Sequence, residues 1–154
     1  TREGIRGRCR SNFIDGKYSS PENMQDHYNF DIPCFEIESD PEEELLVFVS
    51  YDQDDGFGNF DLYVSYKKGK DEWTSPKNMG EGINTSANEH FPTFSPDGQY
   101  LFFVSDRISD KFKSKNNLTL EQMKEMENSP QNGSSDIYWV DAKIIESMKP
   151  TELK

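Results

Sequence analysis

Lys17-Tyr18-Ser19-Ser20-Pro21-Glu22-Asn23-Met24 returns later in the chain as Glu72-Trp73-Thr74-Ser75-Pro76-Lys77-Asn78-Met79, an aromatic, a hydroxyl pair, Pro, Asn and Met in one order. The match continues downstream. Each copy leads into Asn-x-x-apolar-Pro, at Asn29 to Pro33 and at Asn88 to Pro92, and then into an apolar run that ends in Val-Ser. Those runs are Leu45-Leu46-Val47-Phe48-Val49-Ser50 and Tyr100-Leu101-Phe102-Phe103-Val104-Ser105. Strands opened by Asp follow, Asp61-Leu62-Tyr63-Val64-Ser65 in one copy and Asp136-Ile137-Tyr138-Trp139-Val140 in the other. A long repeat built from short strands points to a propeller or an array, because one such unit cannot bury its own apolar faces.

Phe94-Ser95-Pro96-Asp97-Gly98-Gln99-Tyr100-Leu101-Phe102-Phe103-Val104-Ser105-Asp106-Arg107 resembles the WD40-like, or PD40, repeat of TolB-type β-propellers, and the Asp-Ile-Tyr-Trp-Val-Asp ending is similar to that of bacterial members. The likeness spans nearly the whole chain. It implies an all-β fold and a place in the bacterial envelope or periplasm. Propellers of this kind serve as binding modules, as partners of outer-membrane lipoproteins and as appendages to hydrolases, so the fold alone does not set the function.

Strand counting gives about two and a half four-stranded antiparallel blades. Residues 1–31 read as the end of one blade, 32–87 as a second and 88–154 as a third, the last carrying a helical insertion over 108–135. The expectation is therefore part of a larger propeller, or a ring completed by further copies of the chain, since open sheet edges invite pairing. Asp15-Gly16 predicts a hairpin turn in the first unit. Thr119 and Gln122 form a capping box, with Leu118 and Met123 at the staple positions, and predict a helix from Leu120 to Glu127. Ala142 to Lys149 predicts a short amphipathic helix with Ile144, Ile145 and Met148 on its apolar side, stopped by Pro150.

A net charge of −12 on 154 residues, with no basic cluster, argues against nucleic acid as a partner. The apolar runs are far shorter than the roughly 20 residues of a membrane span. Cys9 and Cys34 lack zinc spacing and read as two buried free thiols in strands.

The residues entering the inner strands carry the binding expectation: Asn29, Asp31, Asn88, Glu89 and His90 place polar side chains where a channel mouth would lie, suited to a protein or glycan ligand. Solvation of a water-filled channel is the plainer account of the same residues. The loop Asp52-Gln53-Asp54-Asp55-Gly56-Phe57-Gly58-Asn59-Phe60-Asp61 gathers carboxylates and leaves two readings open, a solvated tight loop or a calcium site at Asp52, Asp54, Asp55 and Asp61. The terminal bidentate Glu of an EF-hand is absent. In the Ser-Asp-Arg element, Arg107 is expected to bridge neighbouring strands through carboxylate or carbonyl oxygens. No nucleophile elbow, His-based metal pair or phosphate loop is present in the sequence. The leading expectation is thus a noncatalytic binding module; the alternative is the propeller portion of a larger hydrolase, a peptidase or glycosidase, whose catalytic residues lie outside this segment.

Overall fold

The computed structural model describes residues 9–23, 30–70, 72–113 and 117–153. Strand makes up 41 % of the described residues and helix 16 %, arranged as several antiparallel sheets with few helices. At the N-terminal end, β1 (Cys9–Arg10) pairs with β4 (Glu22–Asn23), and β2 (Phe13–Ile14) pairs with β3 (Lys17–Tyr18) around the Asp15–Gly16 turn. A five-stranded sheet follows, in the order β5 (Phe35–Ser39), β6 (Leu45–Tyr51), β7 (Phe60–Gly69) and β8 (Glu72–Trp73), with β9 (Lys77–Asn78) also lying along β7. A three-stranded sheet comes next, in the order β10 (Glu89–Phe94), β11 (Tyr100–Ser105) and β12 (Asp136–Asp141).

The two apolar runs pair with the two Asp-opened strands in equivalent register. Leu45 to Tyr51 face Tyr66 to Phe60 across β6 and β7, just as Tyr100 to Ser105 face Asp141 to Asp136 across β11 and β12. Because side chains alternate along a strand, Leu45, Val47, Val49, Leu62, Val64 and Tyr66 share one face of the five-stranded sheet. They pack against Phe94, Leu101 and Phe103 of the three-stranded sheet, with Tyr138 and Val140 at the edge, to form the main core. The opposite face holds Ile37, Leu46, Phe48 and Tyr63, covered by Phe30, Ile32, Cys34 and Trp73. β6 is therefore buried on both sides: every residue from Leu45 to Ser50 is at most 4 % exposed.

The segment between β11 and β12 contains α1 (Asp110–Lys113) and α2 (Leu120–Glu127). Thr119 accepts the Gln122 N–H, and the Gln122 side chain accepts the Thr119 N–H, which closes the capping box. No residue of α2 is buried; its side-chain tie to the preceding turn is the Lys111–Glu125 ion pair. After β12, α3 (Lys143–Met148) covers the end of the main core with a fully buried Ile145, whose carbonyl oxygen accepts the Tyr66 hydroxyl at 2.6 Å. The 3-10 turn η1 (Thr151–Leu153) ends the described chain.

The expectation of two buried thiols in strands changes here. Cys9, in β1, is exposed, and Cys34 is only half-buried, lying ahead of β5 rather than inside a strand. Trp73 sits half-buried on the second core, whereas Tyr18, its counterpart in the repeat, is 75 % exposed and packs on Phe13 at 4.9 Å. The frame is shared but the covering sheet is not.

Candidate functional site

The segment Asn88-Glu89-His90-Phe91 runs along the start of β10, beside the start of β7 through a bridge between Phe60 and Asn88. Its residues have different fates. Asn88 is used by Asp106: the Asn88 backbone N–H donates to Oδ1 at 2.6 Å and Nδ2 to Oδ2 at 2.8 Å. Burial alone would raise the Asp106 carboxyl, but these Asn88 donors outweigh it and hold the group below the ordinary carboxylate range.

Glu89 is fully buried, and its carboxylate is held by donors of the protein itself. Its Oε1 accepts from Ser105 Oγ at 2.7 Å, Thr85 Oγ1 at 2.8 Å and Arg107 Nη2 at 3.3 Å, while Oε2 accepts the Thr85 N–H at 3.0 Å. Arg107 also donates to the Ile83 carbonyl at 2.7 Å and lies over the Tyr138 ring at 4.4 Å. The strand-bridging role read for Arg107 is thus visible in its contacts. A buried carboxylate persists because several donors replace its water. The repeat carries a signal for this: Glu89 aligns with Phe30, an apolar position that stacks on Phe48 at 5.0 Å.

His90 reaches the surface. Its Nδ1 lies 3.3 Å from Glu36 Oε2, and the same oxygen accepts the Phe91 N–H at 2.9 Å. The imidazole rests on Phe60 at 4.9 Å and near Phe91 at 5.8 Å. Phe60 continues into Phe35 at 6.2 Å and Tyr51 at 6.0 Å, and Phe35 stacks on Tyr51 at 5.4 Å. The result is a ridge of aromatic rings across the ends of β5, β6, β7 and β10, with Phe35 39 %, Tyr51 41 % and Phe91 61 % exposed.

The backbone beneath this ridge is strained. Glu36 and Phe91 adopt φ of 50° and 52°, a region that bulky L-residues avoid and that persists only when neighbouring contacts impose it. The Glu36–Phe91 hydrogen bond joins the two strained residues across β5 and β10. Both strands also slip register at this level, between Phe35 and Glu38 and between His90 and Thr93. Sequence reading reached His90 but missed Phe35, Glu36, Tyr51, Phe60 and Phe91, since only the stacking of two sheets brings them together.

Asp31 is exposed and lies apart from this ridge, lining a shallow cleft of about 290 Å³ with Ile32, Gln53, Asp55 and Tyr63. Asn29 falls outside the described residues. In the acidic loop, Asp61 is buried and accepts the N–H groups of Phe57 at 2.6 Å and Gly58 at 3.3 Å, so it ties the loop down from inside. Asp55 accepts the Tyr63 hydroxyl at 2.6 Å, and burial followed by this bond pushes that phenol well above its ordinary range. Asp52 and Asp54 are exposed. The four carboxylates therefore do not converge, and among the described residues no group of three or more His, Cys, Asp or Glu side chains is placed to hold an ion. Gly58 lets the loop press against the 85–87 turn: a Cβ there would stand 1.9 Å from the Ala87 carbonyl oxygen.

Compared with models of known families, with curated proteins and with solved structures, the chain gives no match.

Proposed function

We propose that this chain is a noncatalytic binding module made of β-propeller blades, working in the bacterial envelope or periplasm, and that it takes a protein or glycan ligand on the aromatic ridge. The observation that carries this reading is the run of partly exposed rings Phe35, Tyr51 and Phe91 around Phe60 and His90, with Glu36 beside them. Exposed ring faces stack on the apolar faces of sugars or on proline and aromatic side chains, and rings already held by neighbours lose little freedom on binding. The imidazole and the Glu36 carboxylate supply hydrogen bonds that fix orientation. A rigid sheet pair presenting a site at its strand ends matches how binding sites are carried by scaffolds.

The test is an amide and aromatic NMR titration with a panel of oligosaccharides and of proline- or aromatic-rich peptides. Saturable shifts at Phe35, Tyr51, His90 and Phe91, lost in Phe91→Ala and Tyr51→Ala, support the reading. Binding that leaves these resonances unmoved overturns it. Turnover of an ester, peptide or glycoside substrate that disappears in His90→Ala would make the ridge an active site instead.

A further inference from the structure

The two large sheets differ in what covers them. Tyr100, Phe102, Ile137 and Trp139 stand in the repeat where Leu45, Val47, Leu62 and Val64 stand in the five-stranded sheet. The latter four are buried under the three-stranded sheet; the former are 38 %, 38 %, 76 % and 61 % exposed. A contiguous apolar sheet face of this kind marks an interaction surface.

The chain also carries a matching surface at its other end. Phe13 and Tyr18, paired on one face of the β2–β3 hairpin, are 65 % and 75 % exposed. Tyr18 aligns with Trp73, and Trp73 lies on the face of its sheet opposite to the one that the three-stranded sheet covers. Inside the chain, sheets meet with a face of the Leu62–Val64 kind against the reverse face of the next sheet. Among the described residues, the Trp139 side and the Tyr18 side are the two uncovered members of that same junction.

We propose that a second copy of this chain docks head to tail, the Phe13–Tyr18 hairpin of one copy resting on the outer face formed by Phe102, Ile137 and Trp139 of the other. The contact joins unlike surfaces, so it can propagate into a closed ring or a short array. It does not depend on the aromatic ridge as a binding site.

Sedimentation equilibrium over a concentration series tests this with the whole chain, using Trp139→Asp and Tyr18→Asp, each of which blocks one end. Both residues are exposed, and circular dichroism establishes that the variants keep the fold; Ile137→Asp is the second variant at the same face. The original chain is expected to gain mass with concentration, each variant alone to remain monomeric, and an equal mixture of the two variants to form a species of twice the monomer mass and no larger. A monomeric original chain at every concentration overturns the proposal. So does a Tyr18→Asp variant that associates like the original, which would mean that two outer faces pair with each other, or a mixture that stays monomeric.

Discussion

The five-stranded and three-stranded sheets are two solutions to one sequence frame, and they differ at the same structural level. In the three-stranded sheet the end of β11 is held by charge: Ser105, Glu89 and Arg107 form a buried network with Thr85 and the Ile83 carbonyl. In the five-stranded sheet the corresponding residues are Ser50, Phe30 and Asp52; Phe30 stacks on Phe48, Asp52 is exposed, and the buried Ser50 hydroxyl has no partner among the described residues. One sheet end is closed by a buried polar network, the other by aromatic packing. The two aligned stretches share their strand pairing but not the contacts that close their ends.

Breaking the buried ion pair should give the largest contrast. Arg107→Ala leaves the fully buried Glu89 carboxylate short of its cation and is expected to cost roughly 3–5 kcal/mol in urea unfolding, while Asp52→Ala at the aligned position should stay within about 0.5 kcal/mol. Equal effects would show that the two sheet ends are held alike.

Next comes the covered face against the open one. Leu62→Ala removes a fully buried side chain and should destabilise by about 2–5 kcal/mol, whereas Ile137→Ala, its counterpart, should change the stability of the dilute chain by no more than about 0.5 kcal/mol. A large loss at Ile137 in a monomeric sample would mean that this face is already covered within one copy.

The serine pair sharpens the comparison further. Ser105→Ala removes a donor to Glu89 and should cost roughly 1–3 kcal/mol; Ser50→Ala removes a buried hydroxyl that bonds nothing described and should be neutral or slightly stabilising. The signs, more than the sizes, decide this one.

Acid sensitivity gives the smallest effect. Asp106 has its folded-state carboxyl held below the ordinary range by the Asn88 donors that outweigh burial, so its contribution is fully present above the unfolded value near 4 and is lost as pH falls through the lower folded value. Tyr51 occupies the aligned position and carries no carboxylate. Protection of the Val104 amide against hydrogen exchange, relative to its intrinsic rate, should therefore fall below about pH 4 more steeply than that of Val49, and Asp106→Asn should remove the difference. Parallel acid slopes at the two amides would place the sensitivity elsewhere.

Features written in short-range chemistry were legible in the sequence. The Thr119–Gln122 box gives α2 its start, Asp15-Gly16 makes its hairpin, and the apolar runs become β6 and β11 because their information lies within a few neighbouring residues. The candidate site was legible only at His90. Glu89 was read as solvent-facing because one residue type was weighed without its aligned partner, Phe30, and the ridge from Phe35 to Phe91 depends on contacts between strands far apart in the chain. The strained φ values at Glu36 and Phe91 have no residue signature, since neither is the Gly or Asn that such backbone usually selects.

The hydroxyl of Tyr66 meets the Ile145 carbonyl across a sequence separation of 79 residues. That distance bears on the order in which the molecule assembles. The antiparallel β6–β7 and β11–β12 pairs can each form without the clasp, although the second must first close over the helical insertion. The clasp itself orders a far longer loop, an entropic cost repaid only once both sheets are stacked. Folding should thus end with α3 settling over the core, and unfolding should begin there. Removing that bond with Tyr66→Phe is expected to raise the unfolding rate and leave the folding rate almost unchanged in a stopped-flow chevron, a partition that makes α3 a kinetic latch on a structure whose sheets are already formed.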